Sequence, residues 1–311
     1  MSIGAVRDWS ILRCPSCQAK LDGTDTSQQC TGCAQTWPVR DGVPALFRDS
    51  WVRGNDRLMR HIYDALPSLH DPAVTYMLPL WQLEGSEGAM RNRYLCRVEL
   101  EKLGPRADGR PLRILEVCIG TGVNRRLVEQ WLPKGLQVDY WGADLSEGMM
   151  AVCKKKLAKQ GFSDVQLVMA DAHALPFADA SFDRVFHVGA IGNFSDPGQA
   201  MREMARVAEP GTPIVVVDEQ LERDRSHNLW VRAWFKALTF YDSNPHCPTE
   251  AVPPGAWDVL EEQLGRFYYG LRFRVGAAPT DIAAERAVDP APAATPVQRP
   301  RSRGKASSPA G

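Results

Sequence analysis

The chain has 311 residues, in which 37 Lys and Arg residues balance 37 Asp and Glu residues. A chain of this length can bury one large core and still carry a small accessory module. The balanced charge excludes a strong overall attraction to nucleic acid or to an acidic membrane surface, although a local basic patch is compatible with it. The sequence shows no signal-peptide pattern and no run of about 20 apolar residues, so we expect a soluble, cytoplasmic protein without a membrane span.

Residues 1–50 contain four of the eight cysteines, arranged as two Cys-x-x-Cys pairs. The first pair is Cys14 and Cys17, and the second is Cys30 and Cys33. Twelve residues lie between Cys17 and Cys30, a spacing that suits four thiolates around one tetrahedral zinc ion. Four thiolates leave no open coordination position, so the sequence predicts a structural zinc ribbon whose metal supplies folding free energy. A metal-free pair of turns and a redox dithiol are the alternatives, and the duplicated motif argues against the dithiol.

Apolar residues at helical spacing predict several short helices over residues 51–104. Leu58, Ile62 and Leu66 are four residues apart, and three prolines divide the segment.

From residue 111 to about residue 221, β-rich apolar runs alternate with helical stretches. The five runs are LRILEVCI, VDYWGADL, VQLVMAD, FDRVFHVGAI and PIVVVDEQ. Their continuous apolar character suits strands that are covered on both faces. The alternation predicts an α/β fold, a doubly wound parallel sheet with helices on both faces.

The rest of the chain is less regular. Residues 222–256 are predicted to be an insertion, whose aromatic residues between Trp230 and Tyr241 suit either an apolar substrate pocket or the packing face of a helix. WDVLEEQL is predicted to be a helix and FYYGLRFRV a final strand within a domain of residues 105–276. Residues 277–311 are rich in Ala, Pro, Arg and Ser, which predicts a disordered tail.

Three features follow the ends of successive predicted strands. Gly120-Thr121-Gly122 ends the first, where a chain that passes close to a ligand needs residues without side chains. Asp144 ends the second and could accept hydrogen bonds from ribose hydroxyls, and Asp171 ends the third and could accept from an adenine amino group. A nicotinamide or flavin fold is the competing interpretation, but its third glycine would fall at Arg125.

Together these motifs resemble class I S-adenosylmethionine-dependent methyltransferases over about residues 105–221, particularly the branches that are similar to ubiquinone/menaquinone-biosynthesis and arsenite methyltransferases. The resemblance implies a Rossmann-like sheet that binds S-adenosylmethionine. The implied cofactor contacts are Glu116, Gly120, Thr121 and Gly122 at the methionine moiety, Asp144 with Leu145 at the ribose, and Asp171 with Ala172 at the adenine. The sequence departs from the family at Cys118, where a glycine is usual. The cysteine-rich segment is similar to zinc ribbons that are fused to methyltransferases or activate them as separate subunits.

In such an enzyme, alignment of the nucleophile with the methyl group supplies most of the rate. A base helps only when the acceptor must lose a proton. His187, after the fourth strand, is the best-placed base and would also face the cofactor, although a role in the cavity wall is the alternative. The resemblance also implies a helical lid over residues 51–104, and the candidate lid and substrate residues are Tyr63, Arg93, Tyr94, Asn193 and Asp218.

The leading hypothesis is methyl transfer to a small or medium-sized, apolar or aromatic metabolite. A ribosomal RNA guanine methyltransferase is the first alternative, since such enzymes also join a zinc module to this kind of core, but an RNA enzyme should show a basic face. A cofactor-binding subunit that recruits a partner through its ribbon is the second. The sequence does not reveal the oligomeric state or the acceptor atom.

Overall fold

The computed structural model describes residues 9–72 and 87–276. The predicted tail over 277–311 and part of the predicted lid, residues 73–86, lie outside the described residues. No helix in the described ranges is both long enough and apolar enough to cross a bilayer.

Eleven strands form one sheet. They are β1 (Leu21–Gly23), β2 (Ser27–Cys30), β3 (Thr36–Arg40), β4 (Val43–Leu46), β5 (Leu112–Val117), β6 (Val138–Asp144), β7 (Gln166–Ala170), β8 (Arg184–Val188), β9 (Ile214–Glu219), β10 (Trp257–Gln263) and β11 (Tyr268–Arg274). Their spatial order is β1-β2-β3-β4-β7-β6-β5-β8-β9-β11-β10.

The five predicted strands, β5 to β9, form the parallel centre of this sheet. Every residue of β5 is buried, as the continuous apolar run predicted. Two buried clusters cover the opposite faces, and neighbouring residues of β5 alternate between them: Leu115 and Val117 belong to one, Leu112 and Ile114 to the other. The predicted doubly wound α/β architecture is therefore confirmed.

The helices are α1 (Gly54–Ala65), α2 (Pro67–Pro72), α3 (Glu87–Leu95), α4 (Arg125–Trp131), α5 (Glu147–Lys159), α6 (Pro197–Val207) and α7 (Leu229–Leu238). The last three begin at side-chain caps. Ser146, Asp196 and Asn228 each accept a hydrogen bond from a backbone N–H three residues ahead, which satisfies one of the free donors at a helix start. The helices predicted between the strands are present as α4, α5 and α6.

The predicted helix at WDVLEEQL is wrong, because this segment forms β10 in a hairpin with β11. Leu, Glu and Gln favour helices in isolation. Here the buried strand β11 pairs with β9 on one side and leaves its other edge for β10. Asp258 also accepts hydrogen bonds from Arg272 and Arg274, both at 2.9 Å. Tertiary pairing therefore overrides the local helix preference.

The cysteine-rich segment continues the main sheet. β4 pairs in parallel with β7, with Ala45 opposite Met169 and Leu46 opposite Ala170. The Arg13 N–H donates to the Pro176 carbonyl oxygen at 2.9 Å. Four of its buried side chains, Ile11, Leu12, Trp37 and Leu46, belong to an apolar cluster that includes residues of the central strands. Its strands are thus stabilised by burial against the large core.

Candidate functional site

A cavity of about 210 Å³ lies at the carboxyl ends of β6, β5, β8 and β9. Its walls contain residues that directly follow these strands, together with residues of α1 and α3. Ligands of parallel α/β sheets bind at this edge, where the strand order reverses. The predicted site residues that line it are Tyr63, Glu116, Gly120, Thr121, Asp144, Leu145 and Asn193.

The loop after β5 is held in a left-handed backbone conformation. The φ angles are +57° at Cys118, +56° at Gly120 and +74° at Gly122. Glycine adopts this region freely, whereas a residue with a Cβ is strained there. Gly122 also has no room for a side chain, since an added Cβ would lie 2.9 Å from the Cys153 sulfur. Cys118, where the related families usually have glycine, therefore keeps the glycine-like backbone at a cost in strain.

Asp144 is fixed at the end of β6 by backbone donors. Its Oδ2 accepts from the Gly120 N–H at 2.8 Å and its Oδ1 from the Ser146 N–H at 2.9 Å. A carboxylate has about four lone-pair positions. Asp144 therefore joins the glycine loop to the start of α5 and keeps acceptor capacity at the cavity wall.

A smaller cavity adjoins the first and contains Asp171 and Ala172. Cys118, Leu145 and Phe194 line both cavities. The Asp171 Oδ1 lies 2.7 Å from Nδ1 of His173. Burial alone would raise the pKa of Asp171 and lower that of His173, but their hydrogen bond and opposite charges outweigh burial. The pKa of Asp171 is therefore lowered and that of His173 is raised, which favours an ion pair.

Glu116 lies beneath the glycine loop and is 1% exposed. Its two carboxyl oxygens accept from the Asn124 amide at 2.6 Å and the Tyr140 hydroxyl at 2.5 Å. Burial outweighs these donors and raises the pKa of Glu116 to about 7. The Asn124 amide oxygen accepts in turn from Arg91 at 2.7 Å. Glu116 and Arg91 thus share one buried network at the cavity wall.

Comparison with known proteins shows which family the segment that forms this edge of the sheet resembles. Residues 115–216 match a family model described as a methyltransferase domain. This segment is a methyltransferase domain. It contains the glycine loop, Asp144 and Asp171, so the residues that form the two cavities belong largely to the matched part.

Two curated relatives match part of this chain. A demethylmenaquinone methyltransferase of Thermus thermophilus is 34% identical over 128 residues, which cover 41% of this chain and 56% of the relative. A ubiquinone/menaquinone biosynthesis C-methyltransferase of Hahella chejuensis is 35% identical over 129 residues, which cover 41% of this chain and 49% of the relative. The chain thus spans about half the length of the curated relatives it matches.

Among solved structures, a Haemonchus contortus phosphoethanolamine N-methyltransferase 2 in complex with S-adenosyl-L-methionine is 16% identical. Its TM-score is 0.47, and the match covers 60% of this chain and 53% of that chain.

Helix α1 is fastened to the methyltransferase domain at the start of α5. The Asp64 Oδ1 accepts from the Ser146 hydroxyl at 2.6 Å and from the Gly148 N–H at 3.0 Å. An added Cβ at Gly148 would lie 2.9 Å from the Asp64 backbone, so glycine permits this close approach. Asp71 of α2 binds Thr121 at 2.5 Å and Lys156 at 2.6 Å. These contacts place the Tyr63 side chain in the cavity wall.

His187 was predicted as the base, and the structure requires a correction. Its side chain is fully buried, lines neither cavity, and has its Nδ1 3.0 Å from the Val117 carbonyl oxygen. Burial lowers its pKa. The neighbouring residue, Val188, lines the cavity instead. Successive side chains of a strand point to opposite faces, so the residue of β8 that lines the cavity is the one that follows His187.

Four other predicted residues also lie outside the cavity walls. Gly122 packs on α5, and Asp218 accepts from the Gly192 N–H at 2.6 Å. In α3, Arg93 donates to the Leu264 carbonyl oxygen and Tyr94 to the Asn124 amide oxygen. These four residues hold loops and helices around the cavity, and their direct contacts with a ligand stay predictions.

Sequence reasoning missed several residues that line the cavity. Among them is Arg91, which lies there in place of the predicted Arg93. Tyr241, the last of the aromatic residues considered for a substrate pocket, also lines it, while Phe235 packs in the core and Trp230 is 85% exposed. The aromatic segment therefore divides between pocket, core and surface.

The four ribbon cysteines lie together, with all Sγ atoms within 4.8 Å of one another. The Sγ atoms of Cys14 and Cys33 are 3.7 Å apart, and those of Cys17 and Cys30 are 3.4 Å apart. Four sulfurs at about 2.3 Å from a tetrahedral zinc would be roughly 3.8 Å apart. Two backbone N–H groups donate to the Cys30 sulfur at 3.3 Å. The donor set and its dimensions fit a structural zinc ion.

Proposed function

We propose that this chain is an S-adenosylmethionine-dependent methyltransferase that acts on a small or medium-sized, apolar or aromatic metabolite. The proposal rests on one observation. The glycine loop and Asp144 line the same cavity, and both lie in the segment that matches a methyltransferase domain. The curated relatives, a demethylmenaquinone methyltransferase and a ubiquinone/menaquinone biosynthesis C-methyltransferase, support this reaction class.

The residues present fit the donor. The left-handed loop brings the Gly120 backbone to the cavity wall, and the Asp144 carboxylate, which also lines that wall, would accept hydrogen bonds from the ribose hydroxyls. Asp171, in the adjoining cavity, would accept from the adenine amino group. When bound, S-adenosylmethionine supplies an electrophilic methyl group on a sulfonium. The chain contributes orientation and exclusion of water, and α1 covers the cavity for that purpose.

The acceptor end of the cavity supports an apolar or aromatic substrate. Five apolar or aromatic residues are part of the cavity lining: Tyr63, Val188, Phe194, Tyr241 and Tyr268. Apolar and aromatic walls with few polar groups are typical of small-molecule sites. We further propose that residues 51–104 form the lid of this site and that residues 1–50 form a zinc ribbon that stabilises the neighbouring sheet edge.

Isothermal titration calorimetry with S-adenosylmethionine tests the donor site. We expect Asp144→Ala to weaken binding by about 10- to 100-fold, the usual effect of losing hydrogen bonds to a charged group. Asp164→Ala is the matched control, since Asp164 is exposed and precedes β7 at the opposite edge of the sheet. Absence of binding by the unmodified protein would refute the proposed function.

A labelled-methyl transfer assay separates the candidate functions. Wild-type protein with labelled S-adenosylmethionine is offered a small-metabolite extract in one reaction and total RNA in another. We expect label in the metabolite fraction. Label in RNA would instead support the guanine methyltransferase alternative, and binding without transfer to either would support a non-catalytic cofactor-binding subunit.

A further inference from the structure

A set of polar side chains at the acceptor end of the cavity has no role in holding the methyl donor. Asn193 lines this end and is only 3% exposed. Within the described part of the chain, neither its amide nitrogen nor its amide oxygen has a hydrogen-bond partner. Buried amide groups are nearly always paired, because leaving them unpaired costs free energy. Asn193 therefore points to a ligand that both donates and accepts hydrogen bonds.

Glu219 lies at the same end. It is the last residue of β9, it lines the cavity, and its Oε2 accepts from the Tyr241 hydroxyl at 3.0 Å. β9 is two strands away from β5 in the sheet, and neighbouring strands are about 4.8 Å apart. Glu219 is thus roughly 10 Å from the end of β5 and its glycine loop, on the side where a methyl acceptor would bind.

Two further carboxyl groups lie near this end, although neither of them lines the cavity. Asp218 and Asp242 both lie close to Gly192: a Cβ added there would be 3.3 Å and 2.8 Å, respectively, from their carboxyl oxygens. The basic residues among the described lining are Arg60, which pairs with Asp49 and Asp64, and Arg91, which binds Asn124.

Burial and the charge of Asp218 raise the pKa of Glu219 well above its ordinary value. The other titratable groups around it are Asp218, Asp242, Tyr63, Tyr241 and Tyr269, and they come from β9, β11, α1 and the segment after α7. A base is most effective when its pKa is near the working pH, and an upward shift moves a carboxyl toward that range.

We propose that Glu219 takes the proton of the methyl acceptor while Asn193 orients it, so that the acceptor presents a neutral hydroxyl or an amine and no anionic group. This inference rests on the proposed methyltransferase function. A bond forms between the acceptor atom and the methyl carbon, and the methyl–sulfur bond breaks with its electron pair left on sulfur. The acceptor's proton moves to a Glu219 oxygen. The charges of the sulfonium and the carboxylate both disappear, whereas an anionic acceptor would be repelled by Asp218 and Glu219.

The first test measures binding of three probes of similar size: benzyl alcohol, benzylamine and benzoate. Dissociation constants are obtained by ligand-observed NMR at pH 8 for wild type, Glu219→Gln, Asn193→Ala and the control Glu250→Gln. Glu250 has a side chain that is 66% exposed and lies outside the cavity.

For wild type and the control, we expect benzyl alcohol and benzylamine to bind at least tenfold more tightly than benzoate. Glu219→Gln should reduce the preference for benzylamine over benzoate by about tenfold. Asn193→Ala should weaken the binding of all three probes. Equal or tighter binding of benzoate to wild type would overturn the proposed acceptor class.

The second test uses the labelled-methyl assay with the metabolite extract. Glu219→Gln should slow transfer by about 10²- to 10⁴-fold, while its affinity for S-adenosylmethionine stays within a factor of two of wild type. An unchanged rate would overturn the role of Glu219 as the base. Calorimetry distinguishes the two levels of failure: wild type without S-adenosylmethionine binding refutes the proposed function itself, whereas normal binding with unchanged transfer refutes only this inference.

Discussion

Replacement of Cys118 by glycine should stabilise the fold relative to alanine. Cys118 has a φ of +57°, and a residue with a Cβ in the left-handed region costs about 1–2 kcal/mol. Glycine removes that strain but adds about 0.4–1 kcal/mol of unfolded-state entropy. The net expectation is that Cys118→Gly is more stable than Cys118→Ala by about 0.5–1 kcal/mol. Comparing the two variants cancels the loss of the thiol, which both share.

Urea unfolding followed by far-ultraviolet circular dichroism measures this difference. The control is Ala151→Gly in the middle of α5, at an exposed position. Glycine in the interior of a helix lowers the free energy of unfolding by about 1 kcal/mol relative to alanine. The glycine variant should therefore be less stable than the alanine form at residue 151, but more stable than the alanine variant at residue 118. If Cys118→Ala is as stable as Cys118→Gly or more so, the strain assigned to the loop after β5 is wrong.

Three further expectations concern the proposed lid, the partly buried pair Asp171–His173 and the proposed zinc ribbon. Asp64→Ala removes both hydrogen bonds to the start of α5 and should weaken S-adenosylmethionine binding about 5- to 10-fold, as measured by calorimetry. The control is Asp49→Ala, which removes the exposed partner of Arg60 and should leave this binding unchanged. The raised pKa of His173 means that its pairing with Asp171 contributes stability fully below pH 6.5, which is lost as the pH rises through the raised value. His173→Gln should therefore lose most stability near pH 5.5 and little near pH 9, and a pH-independent loss in urea titrations would contradict the pairing. Elemental analysis should find one zinc per chain, which Cys33→Ser loses and Cys96→Ser retains. A full zinc complement in Cys33→Ser would exclude the four-thiolate site.

The parallel sheet and its ligand-binding edge were predictable because their signals do not depend on side-chain direction. A continuous apolar run indicates a buried strand whichever residue faces which side. Asp144 and Gly120 could be placed by the strand end alone, since all parallel strands end at the same edge.

The errors come from side-chain direction within correctly predicted elements. A strand that is buried on both faces has no polar alternation, so nothing in the sequence favoured Val188 over His187 or Glu219 over Asp218 at the cavity. The same holds for α3, where polar residues surround the helix and the sequence does not show that Arg91 rather than Arg93 points inward. β10 is different, because only its pairing with β11 makes it a strand.

The pairing of β4 with β7 also bears on solubility. Without β4, β7 would be the outermost strand of the parallel sheet and would offer unpaired N–H and C=O groups beside Val168 and Ala170 to any other chain. Such open edges are templates for aggregation. At the far end, β10 presents Asp258, Glu261 and Glu262, which discourage the same event. The cysteine-rich segment therefore covers this edge of the parallel sheet, and removal of the proposed zinc ion should first appear as self-association of otherwise intact protein.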